Sequence, residues 1–228
     1  MDGHSPDGSG DKQIIQEICD LGWSALDQSG VIDAAWAYYF FSVQFQENLE
    51  TARALFPDDE KLKELEREES NTDNLSPWPG VAAVGERMNH CEFMRRALAL
   101  APLPDAKRKQ FEEAGARYLR AVRAMEPLTR ALSISSYEDG GLERVFGAML
   151  NSPPFDHPVV GAFRYFLFTH IEFDSDPVKG HGAMARHLRP DDRVLPLWTS
   201  FRDILVGFVP ALAAERKVAG GWRSASAA

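Results

Sequence analysis

Two histidines and up to three carboxylates crowd the segment His170-Ile171-Glu172-Phe173-Asp174-Ser175-Asp176-Pro177-Val178-Lys179-Gly180-His181, directly after the aromatic run Phe163 to Phe168. Polar groups set so close to an apolar helix are costly unless something neutralises them. On a helix advancing 100° per residue, His170, Asp174 and His181 point within about 40° of one another. Phe163, Phe166 and Leu167 lie on or beside that face, so the three polar groups are expected to look inward. Imidazole nitrogens and carboxylate oxygens converging inside a helical bundle suit iron or manganese. The plainer alternative is one buried His–Asp pair followed by a solvated acidic loop.

Other candidates are scattered along the chain. His90 lies on the apolar side of its segment with Phe93 and Met94. A lone histidine there is more often a satisfied core residue, but Glu86 stands one turn earlier and shares a helical face with it. Glu69 continues the stripe Leu62, Leu65, whereas Glu64, Glu66 and Glu68 read as a solvated face. Glu47 continues the stripe Trp36, Phe40, Val43 and ranks below Glu69. Glu138 reads as an acid serving a helix N-terminus, and nothing local makes it a ligand. His4, His157 and His187 have no converging partner in the sequence.

These residues need helices to hold them. Apolar positions recur with helical period almost throughout: Ile14 to Leu21, Asp33 to Leu55, a charged segment after Pro57, Val84 to Leu100, Phe111 to Met125, Leu142 to Leu150, the helix carrying His170, and Val194 to Val218. Pro127 is expected to kink or interrupt its helix and Pro210 to kink the last one. Ser70 to Gly80, with Asn71, Asn74, Pro77, Pro79 and Gly80, is expected to be a loop. No Val/Ile/Thr alternation argues for a sheet. The predicted fold is all-α, a single bundle of seven to eight helices over residues 12–219, between disordered tails at 1–11 and 220–228.

Composition bounds the function. With 228 residues and 44% hydrophobic content the chain can build one good core. A net charge of −9, a pI of about 5.2 and no basic stripe argue against nucleic acid and anionic membranes. The apolar stretches Phe163 to Thr169 and Ile204 to Ala214 are too short or too interrupted to span a bilayer. Two cysteines, Cys19 and Cys91, form neither a disulfide framework nor a zinc spacing, and a Met1–Asp11 segment without an apolar core is no signal peptide. A cytoplasmic protein is the expectation. No dinucleotide fingerprint, phosphate-binding loop, nucleophile elbow or HExxH motif occurs. Carboxylates so near the histidines argue against haem, whose axial ligand needs an apolar slot.

The run His170-Ile171-Glu172-Phe173-Asp174 followed by Gly180-His181-Gly182-Ala183-Met184-Ala185 resembles the closing motif of the haem-oxygenase-like diiron oxidases. The likeness covers roughly residues 35–190 and is strongest in that motif. It implies a seven-helix fold like haem oxygenase but without haem, two irons, and O₂ as co-substrate. It also implies a ligand order in which His90 takes the second place, Glu138 the middle carboxylate, and His170, Asp174 and His181 close the set. The first carboxylate is not fixed by a motif: Glu69 fits the chain order, Glu86 fits helix geometry, and Glu47 is a further alternative. The stretch between Asp174 and His181 is longer than the pattern, so Asp176 competes with Asp174. Family members oxidise small amino acids and fatty acids, so an amino-acid-like substrate in natural-product biosynthesis is expected. A homodimer is compatible with this. The rival readings are a cofactor-independent, thiaminase-like hydrolase using Cys91, and a helical binding protein without catalysis.

Overall fold

The computed structural model describes residues 9–174 and 180–214. Among these the chain is all-helical: eleven α-helices, three short 3₁₀ turns and no strand, only isolated bridges between Thr72 and Met88 and between Trp78 and Ala82. The expected tail at residues 220–228 lies outside the described residues, as do residues 1–8. Residues 9–11, expected to belong to the first tail, instead open helix α1 (Ser9–Cys19).

Helix α2 (Gln28–Leu55) is the spine, 28 residues long and about 42 Å at 1.5 Å per residue. Asp27 starts it, its carboxylate accepting from the Gly30 amide at 2.8 Å. Helices α3 (Glu60–Ser70), α4 (His90–Ala99), α5 (Asp105–Arg123), α6 (Pro127–Glu138), α8 (Pro158–Asp174) and α10 (Leu195–Phe208) all pack on it. A helix so surrounded has no single buried stripe. Ala34, Tyr38, Phe41, Phe45 and Leu49 are buried, while the expected stripe is only partly so, with Trp36 and Val43 half-buried. Phe41 stacks on Phe201 at 3.9 Å, and Tyr38 touches Phe146, Phe163 and Phe166. Each such ring taken from water contributes about 1.5–3 kcal/mol.

Prolines divide the chain more finely than seven or eight helices. Pro127 interrupts the helix as expected rather than kinking it: α5 ends at Arg123 and Pro127 begins α6 at its first turn, where a missing N–H costs nothing. Pro210 follows the end of α10, and α11 (Ala211–Ala214) is a separate turn. Helix α7 (Gly141–Met149) follows α6 after Asp139 and Gly140. The expected helix from Val84 begins only at His90, because Asn89 caps it by accepting from the Glu92 amide at 2.7 Å. The loop expected to end at Gly80 therefore runs to Asn89. His170 and His181 also belong to two helices, α8 and α9 (His181–Ala185), so a single helical phase does not explain how they meet. Among the described residues no helix is long and apolar enough to cross a membrane.

Candidate metal centre

Helix ends converge beside the middle of α2 and bring five buried ligand-type side chains together. Glu69 stands one residue from the end of α3, His90 is the first residue of α4, Glu138 the last of α6, His170 lies in the last turns of α8, and His181 opens α9. All five are at most 8% exposed. In α3 only Leu62, Leu65 and Glu69 are buried, which is the stripe the sequence predicts.

Glu69 and His90 are far apart in sequence but are held together by the loop between them. Thr72 and Met88 exchange backbone hydrogen bonds of 3.2 and 3.0 Å. Beside that bridge the Arg87 guanidinium donates twice to the Asn71 carbonyl, at 3.0 and 2.7 Å. The end of α3 is thereby tied to the start of α4.

The contacts divide into two groups that share one carboxylate. Glu69 Oε2 lies 2.5 Å from His90 Nδ1, which is 3.0 Å from His170 Nε2. Glu69 Oε1 lies 2.9 Å from His181 Nδ1, which is 3.3 Å from Glu138 Oε2. Glu69, His90 and His170 each offer a ligand atom within 4.8 Å of the others, and so do Glu69, Glu138 and His181. His170 Nδ1 is bonded to the Phe166 carbonyl at 2.8 Å, so it carries the proton and leaves Nε2 with a lone pair facing the site. His90 Nε2 is buried with no hydrogen-bond partner among the described residues. Burial pushes the Glu69 carboxyl up, but His90 and His181 beside it prevail and hold it well below the usual carboxylate range.

Burial also raises the Cys91 thiol to about 11, the reverse of an activated nucleophile, and its Sγ faces Asn89 Oδ1 at 3.3 Å. The remaining wall comes from α2 and α7: Tyr38, Phe41, Ser42, Phe45, Gln46 and Leu142. They enclose a cavity of about 20 Å³, room for a water-sized molecule. These residues carry no ligand signature in the sequence. The spacing of Tyr38, Ser42 and Phe45, a face of α2 beside the expected one, was the available clue.

The other sequence candidates lie elsewhere. Glu86 is not on a helical face with His90; it sits in the preceding loop, accepting from the Ala83 amide at 2.9 Å and pairing with Arg96 at 2.6 Å. Glu47 emerges at the surface and pairs with Arg123 at 2.5 Å. Glu138 is at the C-terminal end of a helix, not serving an N-terminus, and faces His181. His187, expected to lack a partner, pairs with Asp59, the cap of α3. Asp174 closes α8, but its side chain, like Asp176, lies outside the described residues.

The chain matches no family model, no curated protein and no solved structure. What the site can do rests on its own chemistry: buried imidazole and carboxylate groups that could hold a metal ion on either side of Glu69.

Helix α9 can bring His181 in because Gly182 lies against α6. A Cβ there would meet the Glu138 carbonyl oxygen at 2.8 Å and Asp139 Cα at 3.3 Å. Gly182→Ala is therefore expected to push α9 outward. It should weaken metal binding at the Glu138–His181 side by at least about tenfold, since a ligand misplaced by an ångström loses most of its contribution. Isothermal titration with Fe(II) or Co(II) checks this: the Glu69–His90–His170 side should still bind.

Proposed function

We propose that this chain is a nonhaem diiron oxidase of haem-oxygenase-like type, which uses O₂ to oxidise a small substrate. The observation that carries the reading is the placement of Glu69, a buried carboxylate whose two oxygens face two different ligand groups. A carboxylate so placed suits a pair of cations better than one. A donor set of imidazoles and carboxylates, without thiolate, suits iron. The resemblance of the His170–His181 segment supports the same reading and adds Asp174 as a further ligand.

When bound, two ferrous ions supply the electrons that reduce O₂. The protein's own residues do the rest. Glu69 would hold both ions, with His90 and His170 as the further holders of one and Glu138 and His181 of the other. The Phe166 carbonyl accepts from His170 Nδ1 and so turns Nε2 toward His90 and the site. Tyr38, Phe41, Phe45 and Leu142 keep bulk water from the groups, which strengthens every charge interaction between them. A cavity of about 20 Å³ admits a molecule of the size of water or O₂, so a larger substrate needs side chains on the α2 wall to turn aside. An amino-acid-like substrate and a biosynthetic role rest on the resemblance.

Anaerobic equilibrium dialysis against Fe(II), with metal analysis, tests the reading. Saturation near about two irons per chain is expected from a pair of sites sharing one carboxylate. No iron bound, with or without candidate substrates, would contradict it.

A further inference from the structure

The cavity between the ligand groups and α2 holds about 20 Å³, and the described residues that line it are buried except for two. Gln46 on α2 and Cys91 in the first turn of α4 are partly exposed. A molecule entering from solvent on this side passes between them. The Cys91 side chain is short, with its Sγ 3.3 Å from Asn89 Oδ1, so it can clear little space by turning. Gln46 is long and rich in rotamers.

The rest of the α2 wall is pinned. Tyr38 is in ring contact with Phe146, Phe163 and Phe166, Phe41 stacks on Phe201, and Phe45 lies against Tyr137. Turning any of these rings opens a void in a close-packed core. The Ser42 hydroxyl donates to the Tyr39 carbonyl of its own helix at 2.8 Å.

Gln46 is held differently. Its Nε2 crosses from α2 to α3 and donates to Ser70 Oγ at 3.0 Å, with a longer contact of 3.5 Å to Glu50 Oε1. Ser70 is the last residue of α3 and follows Glu69 directly. This is a neutral hydrogen bond between partly exposed groups, and water replaces it when the side chain turns outward. One rotamer change at Gln46 is thus the least costly way to enlarge the cavity.

We propose that Gln46 is the residue that sets the size of molecule admitted to this centre. Latched on Ser70, it limits entry to molecules of the size of water or O₂. Turned into solvent, it opens the way between α2 and the start of α4 to a larger substrate. The proposal rests on the reading of the centre given above, but its first test needs no metal.

Diethyl pyrocarbonate acylates unprotonated imidazole and is too large for a cavity of about 20 Å³. Its reaction with His90 and His170, followed site by site by peptide mass spectrometry on the metal-free full chain, therefore reports opening. His187, which is exposed and outside the cavity, is the internal control. Ser70→Ala removes the acceptor of the latch and should raise the rate at His90 and His170 about fivefold, the equivalent of a hydrogen bond worth about 1 kcal/mol. Gln46→Ala removes the side chain itself and should raise the rate further. The His187 rate and the urea midpoint should stay at their wild-type values in both variants. Co(II) association, followed by visible absorption, should accelerate in the same order with affinity unchanged, because neither side chain is a ligand. Wild-type acylation rates at His90 and His170 in both variants, or a rise shared equally by His187, would overturn the proposal. Failure of every protein to bind Co(II) would instead contradict the metal reading, and the acylation rates would still decide the role of Gln46.

Discussion

Replacing Glu69 by alanine is expected to empty both metal positions at once, whereas His90→Ala and His181→Ala should each weaken chiefly one. The difference follows from the geometry: Glu69 Oε2 serves the His90–His170 group and Oε1 the His181–Glu138 group. Iron per chain, measured anaerobically for the variants side by side, should fall from about two to near zero for Glu69→Ala and to about one for either histidine variant. Iron-dependent O₂ consumption should be lost in all three and in His170→Ala, while helical circular dichroism persists, because the core is built from the aromatic and aliphatic side chains of α2, α6, α8 and α10. The same carboxylate gives the metal-free protein a pH signature. Its folded pKa lies well below the ordinary value of 4.5, so its contribution is fully present above about pH 4.5 and is lost as pH falls through the folded value. Glu69→Gln should therefore flatten the acid side of the metal-free stability profile, read as the urea midpoint at successive pH values. An unchanged acid limb would mean that Glu69 is not the charged partner of His90 and His181.

Gly141→Ala is expected to be severely destabilising for the addition of a single methyl group outside the site. A Cβ there would stand 2.2 Å from the Ser136 carbonyl oxygen and 2.7 Å from the Trp198 ring, which is fully buried. Neither can step aside cheaply: one is helix backbone, and the other is fixed by its indole N–H on Ser136 Oγ at 2.8 Å. A loss of about 2–4 kcal/mol is expected, at the upper end for overpacking. Gly147→Ala, on the same helix with nothing within 4 Å of its Cβ, should instead be neutral or stabilise by up to about 1 kcal/mol. Urea midpoints at constant slope compare the two; equal losses would show that helix α7 does not pack as closely as described.

The fold class was legible because burial in helices leaves a 3.6-residue imprint, clear in Leu62, Leu65 and Glu69. That imprint fails on α2. A central helix is buried on most sides, so its strongest-looking stripe led to Glu47 at the surface, and the wall formed by Tyr38, Ser42 and Phe45 went unseen. Boundaries failed where a cap outweighs apolar pattern: Asn89 starts α4 at His90, which removes Glu86 from the helix it was placed on. Within the centre, types and order pointed to His90, His170 and His181, but the reason they meet is tertiary. The Thr72–Met88 bridge ties α3 to α4, and Gly182 lets α9 dock on α6. Neither long-range contact has a local sequence signal. Glu138 shows the same limit, since its neighbours suggest a helix start and its position beside His181 is a helix end.

The most direct test of a carboxylate shared between two metals is a crystal structure of the protein loaded with Fe(II) under anaerobic conditions, with anomalous scattering measured at the iron edge. Two peaks are expected about 3.5–4 Å apart, the separation of paired metal sites, one beside His90 and His170 and the other beside His181 and Glu138, with the Glu69 carboxylate between them. A single peak, or peaks away from Glu69, would contradict the account.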